Sequence, residues 1–228
     1  MTFVFPPALT PSVAIAGSEQ RLPVHRIYCI GRNYAEHAKE MGSTVDRAAP
    51  VFFCKPADAV VADRSQIPYP MATKELHHEV EMVVALHSGG VQIPSGQALR
   101  HVFGYGVGLD LTRRDLQGAA KSKGLPWDTG KAFDRSAPVS ALRRASESGH
   151  PRHARLSLDV NGATRQSADI GDMIFGVPEI IHELSKLFEL HAGDLIFTGT
   201  PAGVAALVPG DRFHARLEGI AELRGAIV

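Results

Sequence analysis

The stretch HHEVEMVVAL, residues 77–86, constrains the fold of this chain more than any other part of its sequence. Successive side chains of a β-strand point to opposite faces of a sheet, so Glu79 and Glu81 share one face, and the apolar even-numbered residues of 80–86 share the other. The pattern predicts a half-buried strand that carries two carboxylates beside the core. Such a pair can bind a cation, or it can mark an acidic sheet edge that deters strand aggregation.

A third acid, Asp110, ends the glycine-rich segment GYGVGLD at residues 104–110. Glycines within a strand let the backbone come close to a ligand, so Asp110 becomes a third candidate ligand. Three carboxylates without a cysteine suit a hard cation that prefers oxygen. The sequence therefore predicts Mg²⁺ or Mn²⁺ as cofactor, rather than Zn²⁺.

The length and charge of the chain favour a single domain with a small-molecule partner. A chain of 228 residues can bury one large core, and we found no linker that would divide it, so residues 1–228 are predicted as one domain with 1–25 as an N-terminal extension packed on it. Lys and Arg total 24, as do Asp and Glu, so no net positive charge favours nucleic acid or an anionic membrane.

The chain start and the two cysteines predict a reduced, cytoplasmic protein. Residues 1–17, MTFVFPPALTPSVAIAG, lack the basic and apolar blocks of a signal peptide, and no apolar run approaches the ~20 residues that span a bilayer. Cys29 and Cys54 stand singly in apolar segments without zinc-site spacing, which predicts reduced core residues.

The order of apolar patterns predicts an α+β, β-rich fold with few helices, because strand-like runs do not alternate with helices as in a doubly wound fold. One clear helix begins at Pro178 and ends before Gly193. Residues 143–155 are polar and predict a surface loop or, alternatively, a basic patch. A tight hairpin is predicted at residues 218–219. The predicted strands are Arg26–Ile30, Val51–Cys54, Glu79–Leu86, Val102–Asp110, Leu156–Val160, Asp194–Thr198, Arg212–Leu217 and Ile220–Val228.

A short helix is predicted over Asn33–Gly42, with Asn33 as N-cap, Glu36 completing a capping box and Gly42 at the end. His37 and Glu40 are three residues apart, so they are neighbours on one helix face. A carboxylate beside an imidazole can orient it as a general base that activates water. The alternative interpretation is an ordinary solvated helix face.

These motifs together resemble the fumarylacetoacetate hydrolase superfamily, in particular its compact acylpyruvase and bacterial fumarylpyruvate hydrolase branch. The resemblance implies a mixed β-sheet roll or sandwich of the type seen in the C-terminal domain of that family, and it implies a homodimer. It extends over nearly the whole chain, through RIYCIGRNYAEHAKEMG, PVFFCKPADAVV, LHHEVEMVVAL, GYGVGLDLTRRDLQ, KGLPWDTGKAFDRSAPV and DLIFTGTPAGV.

The resemblance also implies roles for particular residues. The metal ligands would be Glu79, Glu81 and Asp110, and the water-activating dyad would be His37 and Glu40. The remaining site residues would contact the substrate or its enolate: Lys131, Arg114, Gln117, Lys55 and Thr200. Without the resemblance, a solvated loop lysine is the favoured interpretation of Lys131. Trp127 and Phe133 could equally line a pocket or pack, and structural roles are favoured for His77 and His78.

Such a site implies a metal-dependent hydrolase of 2,4-dioxo acids, most specifically fumarylpyruvate in aromatic (gentisate) catabolism. Arg32 or Arg114 could bind the distal carboxylate of that substrate, and the sequence does not decide between them. Two alternatives remain open. The first is decarboxylation or tautomerisation of oxaloacetate, or a general acylpyruvase activity. The second is a binding module without turnover, which would have no need of a base.

Overall fold

The computed structural model describes residues 2–40 and 50–228, and this part of the chain forms 18 strands and six α-helices. Gly42, the predicted end of the short helix, lies outside the described residues. None of the helices in the described part has the length and apolar character that crossing a bilayer requires.

The strands, in chain order, are β1 (Ser12–Ala14), β2 (Arg21–Pro23), β3 (Ile27–Gly31), β4 (Val51–Lys55), β5 (Val60–Val61), β6 (Ser65–Ile67), β7 (Leu76–His77), β8 (Val80–Leu86), β9 (Val102–Leu109), β10 (Thr112–Arg113), β11 (Ala137–Pro138), β12 (Arg143–Arg144), β13 (Arg155–Val160), β14 (Ala163–Asp169), β15 (Leu195–Phe197), β16 (Ala206–Leu207), β17 (Arg212–Leu217) and β18 (Ala221–Ile227).

The helices are α1 (Ala35–Glu40), α2 (Ser95–Ala98), α3 (Arg114–Ser122), α4 (Asp128–Lys131), α5 (Ala145–Ser148) and α6 (Val177–Leu187). Short 3₁₀ turns cover Ala57–Ala59, Leu99–His101 and Ile170–Asp172. Helix α6 confirms the predicted scaffold helix. Its Pro178 occupies the first turn, where a missing N–H is harmless, and its buried face carries Ile180, Ile181 and Leu184.

A six-stranded mixed sheet in the order β12-β9-β8-β15-β3-β4 forms the centre of the molecule. Strand β8 pairs antiparallel with β9 on one side and with β15 on the other, and β15 runs parallel to β3. All seven residues of β8 are buried, so the prediction of a half-buried strand was wrong. The odd-numbered residues Val83 and Ala85 pack into a second core on the opposite face of the sheet.

The larger core lies between this sheet and a five-stranded sheet in the order β14-β13-β17-β18-β6. Strand β8 contributes Val80, Met82, Val84 and Leu86, and the second sheet contributes alternate residues of β13, β17 and β18. Burying an apolar side chain of this size stabilises the fold by roughly 1.5–3 kcal/mol, so the facing sheets fix the position of β8.

The second core places the N-terminal segment against the central sheet. Val13 and Leu22 of the β1–β2 hairpin pack with Ile27 of β3 and Phe197 of β15. Residues 12–24 therefore cover the sheet face that the five-stranded sheet leaves open. Phe3 and Phe5, further toward the chain start, are exposed.

The glycines of β9 allow another backbone segment, and not a ligand, to approach the strand closely. A Cβ atom on Gly104 would lie 2.1 Å from the Arg143 carbonyl oxygen, and one on Gly108 would lie 2.9 Å from the Pro138 carbonyl oxygen. The chain at 138–143 therefore crosses β9 at a distance that side chains would prevent. The interpretation of this segment as a ligand approach was wrong.

Each of the eight predicted strands is confirmed, within two residues at its ends. The hairpin at residues 218–219 is also confirmed, because Ile220 N–H donates to the Leu217 carbonyl at 2.9 Å and Gly219 has a φ of 71°. Residues 143–155 include β12 and α5, so this segment is more ordered than the predicted surface loop. Helix α3 and strand β14 were not predicted, because both are mostly polar.

Candidate active site

The three predicted metal ligands meet at one end of the central sheet. One carboxylate oxygen each from Glu79, Glu81 and Asp110 can be chosen so that all three lie within 4.8 Å of one another, and all three residues are buried. Strand pairing explains this arrangement, since Val80 of β8 lies opposite Leu109 of β9 and the Asp110 N–H donates to the Glu79 carbonyl at 2.9 Å. The structure therefore brings residues 79, 81 and 110 together as the sequence predicts.

Lys131, at the end of α4, lies between two of these carboxylates. Its Nζ donates to Glu79 Oε2 at 2.7 Å, to Asp110 Oδ2 at 2.6 Å and to Thr112 Oγ1 at 2.7 Å. Burial alone would lower the pKa of this ammonium, but Asp110 and Glu79 outweigh burial and raise it above its ordinary value. Lys131 is therefore a buried cation of the site and not a solvated loop lysine.

The two glutamates have opposite electrostatic environments. Burial opposes ionisation of Glu79, but Lys131 and Arg114 overcome it and hold the pKa of that carboxyl well below its usual range. Burial, followed by the charges of Asp110 and Glu79, raises the pKa of Glu81 well above its usual range. Glu81 accepts a hydrogen bond from Gly199 N–H at 2.7 Å, but it lacks the two cations that Glu79 contacts.

Lys55 packs behind Asp110 and is not among the residues that line the cleft. Its side chain is completely buried, its Nζ lies 2.8 Å from Asp110 Oδ1, and it donates to the backbone carbonyls of Leu111 and Lys131. The substrate contact expected of Lys55 therefore stays a prediction. Lys55 is a positioning residue that fixes Asp110 and the end of α4.

Arg114, the first residue of α3, is held by three side chains. Its Nη2 donates to Glu79 Oε1, its Nη1 donates to Gln117 Oε1 at 2.6 Å, and its Nε donates to His77 Nδ1 at 3.4 Å. Burial and the positive charge of Arg114 lower the pKa of His77 to about 4. His77 is therefore a neutral acceptor near pH 7, and its structural role is confirmed.

The two residues of the predicted base dyad contact each other on α1. His37 is buried, and its Nδ1 lies 3.2 Å from Glu40 Oε2. Glu40 also accepts from the Gly203 N–H at 3.2 Å, so the carboxylate is fixed between the helix and the loop after β15. The helix face of His37 is turned toward the cleft and is not an ordinary solvated face.

Asn33 does not cap this helix, which begins at Ala35. Its Nδ2 donates to the carbonyls of Phe175 at 3.0 Å and Thr198 at 2.8 Å, and its Oδ1 accepts from Phe175 N–H at 2.8 Å. The N-cap prediction was wrong, because the amide is buried and faces two other segments. Asn33 instead fastens the chain that precedes His37 to the end of β15.

A buried glutamine that the sequence did not reveal organises the approach to the acidic residues. Gln166 on β14 donates to Thr200 Oγ1 at 2.8 Å, accepts from Val80 N–H at 3.0 Å and lies 2.9 Å from His78 Nδ1. Thr200 thus lies at the cleft as predicted, and His78 has the structural role that its strand position indicated. No signal in ATRQSAD marks Gln166, because its neighbours are also polar.

One cleft is lined by the three acids, by His37 and by several positively charged side chains. Arg32, Arg114 and Gln117 line it as predicted, and Trp127 lines it rather than packing in the core, whereas Phe133 is buried. Phe53 and Lys121 were not predicted as site residues. The lining residues are Ile30, Gly31, Arg32, His37, Phe53, Glu79, Glu81, Asp110, Arg114, Gln117, Gly118, Lys121, Trp127, Lys131 and Thr200.

The donor set fits a hard divalent cation. All three candidate ligands are carboxylates, the preferred donors of Mg²⁺ and Mn²⁺. Asp110 Oδ1 accepts no hydrogen bond within the described residues, although the Lys55 ammonium lies nearby. The raised pKa of Glu81 also fits, because a bound cation would supply the positive charge that favours its ionised form.

Comparison with known proteins agrees with this fold. The family model of the fumarylacetoacetate hydrolase C-terminal domain matches residues 26–228. The chain therefore belongs to the fumarylacetoacetate hydrolase family, and it is an enzyme of that family.

Particular relatives carry two different activities in their names. The crystal structure of fumarylpyruvate hydrolase from Pseudomonas aeruginosa in complex with Mn²⁺ and pyruvate is 51% identical, with a TM-score of 0.97, and the match covers 100% of this chain and 99% of that chain. Rat mitochondrial oxaloacetate tautomerase FAHD1 is 44% identical over 87% of this chain and 89% of its own length. Oxaloacetate tautomerase YcgM from Escherichia coli is 43% identical over 86% of this chain and 90% of its own length.

Proposed function

We propose that this protein is a metal-dependent hydrolase that cleaves fumarylpyruvate into fumarate and pyruvate. The observation that carries the proposal is that His37, whose Nδ1 lies 3.2 Å from Glu40 Oε2, lines the same cleft as Glu79, Glu81 and Asp110. The 51% identity over the whole chain to a fumarylpyruvate hydrolase supports this choice of substrate. A base beside a cation site is what hydrolysis of a 2,4-dioxo acid needs.

The three carboxylates would hold Mg²⁺ or Mn²⁺, which supplies positive charge to the 2-oxo acid end of the substrate and to the enolate that leaves. Lys131 adds a fixed positive charge at the same wall of the cleft. All three of its N–H donors are engaged, by Glu79, Asp110 and Thr112, so Lys131 acts on the developing enolate through its charge.

His37 is the proposed general base, and Glu40 is its orienting partner. The imidazole removes a proton from water as the water oxygen attacks the 4-oxo carbon, and the Glu40 carboxylate stabilises the imidazolium that forms. The bond between the third and fourth carbons then breaks, and its electron pair passes to the pyruvate fragment as an enolate. The His37 imidazolium returns its proton to the enolate carbon, which gives pyruvate. The carboxylic acid formed at the former 4-oxo carbon loses its own proton, and this fragment leaves as fumarate.

Tautomerisation of oxaloacetate is the second candidate function, because the two named tautomerases are 44% and 43% identical to this chain. That reaction moves a proton between carbon and oxygen and consumes no water. A base at His37 would serve tautomerisation as well. The two reactions therefore need the same residues, and they differ in that only hydrolysis uses water as a nucleophile.

A substrate panel separates these candidates. Purified protein is incubated with Mg²⁺ or Mn²⁺ and, in turn, with fumarylpyruvate, acetylpyruvate, fumarylacetoacetate and oxaloacetate, and products are identified by proton NMR. We expect fumarylpyruvate to have the highest kcat/KM, with equal amounts of fumarate and pyruvate formed. Rapid interconversion of oxaloacetate tautomers without cleavage of fumarylpyruvate would replace the proposed hydrolase by a tautomerase.

A further inference from the structure

We infer that Arg32, assisted by Lys121, forms a carboxylate-recognition site at the cleft wall that makes this enzyme selective for substrates with a second, distal carboxylate. The inference rests on the proposed function for the identity of the substrate, but it concerns how the cleft distinguishes a dicarboxylate from a monocarboxylate. The sequence left Arg32 and Arg114 as equal candidates for this contact, and the structure separates them.

Three of the five N–H donors of the Arg114 guanidinium are engaged by protein side chains. The guanidinium contacts Glu79, Gln117 and His77, which together engage Nη2, Nη1 and Nε. The contact with Glu79 also compensates a buried carboxylate of the candidate metal site. Moving Arg114 to a substrate carboxylate would leave Glu79 with one cation fewer in a buried environment, which costs free energy. Arg114 therefore lines the cleft and holds Glu79 in place.

The Arg32 guanidinium differs from that of Arg114 in its hydrogen bonding. Arg32 lines the same cleft and is half-buried, and within the described residues no hydrogen bond or ion pair involves its side chain. A guanidinium presents a planar fork of donors that matches a carboxylate at two points. Partial burial weakens solvent screening, so such a pair is worth more here than on an open surface.

The backbone at Arg32 is fixed in an uncommon conformation. Its φ is 60°, in the left-handed region that residues with a β-carbon rarely adopt. The adjacent Asn33 is buried and tied by its side chain to Phe175 and Thr198, which holds the chain in this turn. Strained backbone of this kind persists where the surroundings enforce it, and it is frequent in ligand-binding segments. Arg32 is thus held at the cleft by a rigid support.

Lys121 extends the same positive region from the last turn of α3. It lines the cleft, and burial together with the positive charges of Arg32 and Arg114 lowers the pKa of its ammonium. Cations that repel one another across a cleft are jointly stabilised by an anion placed among them. Lys121 therefore favours a negatively charged ligand group beside Arg32, whatever other contact its ammonium makes.

The test compares two ligands that differ by one carboxylate. Fumarate and acrylate are titrated calorimetrically into the Mn²⁺-loaded wild-type protein and the Arg32→Gln, Lys121→Gln and Lys123→Gln variants. We expect wild type to prefer fumarate, and Arg32→Gln to weaken fumarate binding by about 10- to 100-fold, the usual value of a charge-assisted contact, with acrylate binding unchanged. Lys121→Gln should give a smaller loss. The matched control, Lys123→Gln, removes an exposed charge two residues away and should change neither affinity.

Kinetics provide a second readout. In Arg32→Gln, kcat/KM for fumarylpyruvate should fall by the same factor, about 10- to 100-fold, whereas kcat/KM for acetylpyruvate should stay within about twofold of wild type. Arg32→Lys should restore part of the preference, because it keeps the charge but not the fork. Unchanged Mn²⁺ affinity in Arg32→Gln would show that the metal site is intact.

Two results would overturn the inference: a wild-type protein that binds fumarate no more tightly than acrylate, or an Arg32→Gln variant that loses both ligands equally. Failure of the proposed function is a separate result. A wild-type protein that cleaves no fumarylpyruvate, yet shows an Arg32-dependent preference for fumarate, would reject the proposed reaction and retain the carboxylate site.

Discussion

The Lys131 ammonium lies 2.6 Å from Asp110 Oδ2, inside the group of acids that would hold a divalent cation. A lysine in this position compensates the buried negative charge of the protein without metal, and it also repels an incoming cation. The site therefore balances two needs: the fold must tolerate three buried carboxylates, and the metal must still bind.

This balance predicts the behaviour of Lys131→Met. Without the ammonium, Glu79 and Asp110 each lose a buried ion pair, so the metal-free variant should be less stable by about 3–5 kcal/mol. Mn²⁺ should then raise the Tm of Lys131→Met by more than it raises that of wild type, because the ion replaces the missing charge. Differential scanning calorimetry with and without Mn²⁺ measures both effects. An equal Mn²⁺ increment in the two proteins would show that Lys131 does not influence metal binding.

Glu81→Gln should separate metal binding from stability. Glu81 lacks the cationic partners of Glu79, and its raised pKa means that its ionised form is already disfavoured by burial. The metal-free Gln variant should therefore unfold within about 1 kcal/mol of wild type, while Mn²⁺ binds at least about tenfold more weakly through loss of a carboxylate ligand. Urea unfolding and Mn²⁺ titration check the two expectations. Wild-type Mn²⁺ affinity in Glu81→Gln would remove Glu81 from the ligand set.

Asn33→Ala should destabilise the protein by about 2–4 kcal/mol, because the backbone groups of Phe175 and Thr198 lose a buried partner. It should also reduce turnover, since the same amide holds the chain that leads to His37. Urea unfolding gives the stability change. The control is Asn161→Gly, which removes two hydrogen bonds at an exposed turn and keeps its φ of 52° accessible. An equally large loss of stability in Asn161→Gly would mean that the burial of Asn33 does not strengthen the contribution of its hydrogen bonds.

Asp159 on β13 should contribute an acid-sensitive part of the stability. A hydrogen bond from Thr164 and the ion pair with Arg216 lower the pKa of this carboxyl. A lowered folded pKa means that the contribution is complete above the unfolded value, near 3.9, and is lost as pH falls through the folded value. Wild type should exceed Asp159→Asn by about 1 kcal/mol near pH 6, and the difference should shrink below about pH 4. Urea unfolding from pH 6 to pH 3 measures the difference, and a constant one would contradict this account.

The sequence revealed part of the site because its acids lie on or beside strands that are strongly apolar. Glu79, Glu81 and Asp110 could be placed together once β8 and β9 were recognised, and the three-residue spacing of His37 and Glu40 holds on the short helix. Strand and helix periodicity predicts which of these residues are neighbours. Their roles as metal ligands and as a base dyad were implied by the family resemblance.

Long-range contacts decided what the sequence could not. Asparagine is a residue type favoured at the N-cap of a helix, but tertiary hydrogen bonds to Phe175 and Thr198 determine the role of Asn33. Lys55 lies in a motif associated with substrate contact, yet it is buried under Asp110. The glycines of β9 allow close contact with the segment at 138–143. Gly108 and Pro138 are 30 positions apart and Gly104 and Arg143 are 39 apart, so no local pattern reports this contact.

The most direct test of the account is the kcat/KM of Mn²⁺-loaded His37→Ala with fumarylpyruvate, measured beside wild type and the exposed helix control Glu36→Ala. We expect the His37 variant to lose about 10²- to 10⁴-fold, the usual value of a positioned general base, with Mn²⁺ affinity within about twofold of wild type. Glu36→Ala should retain nearly full activity. Cleavage of fumarylpyruvate at the wild-type rate by metal-loaded His37→Ala would contradict the central claim that His37 activates the water.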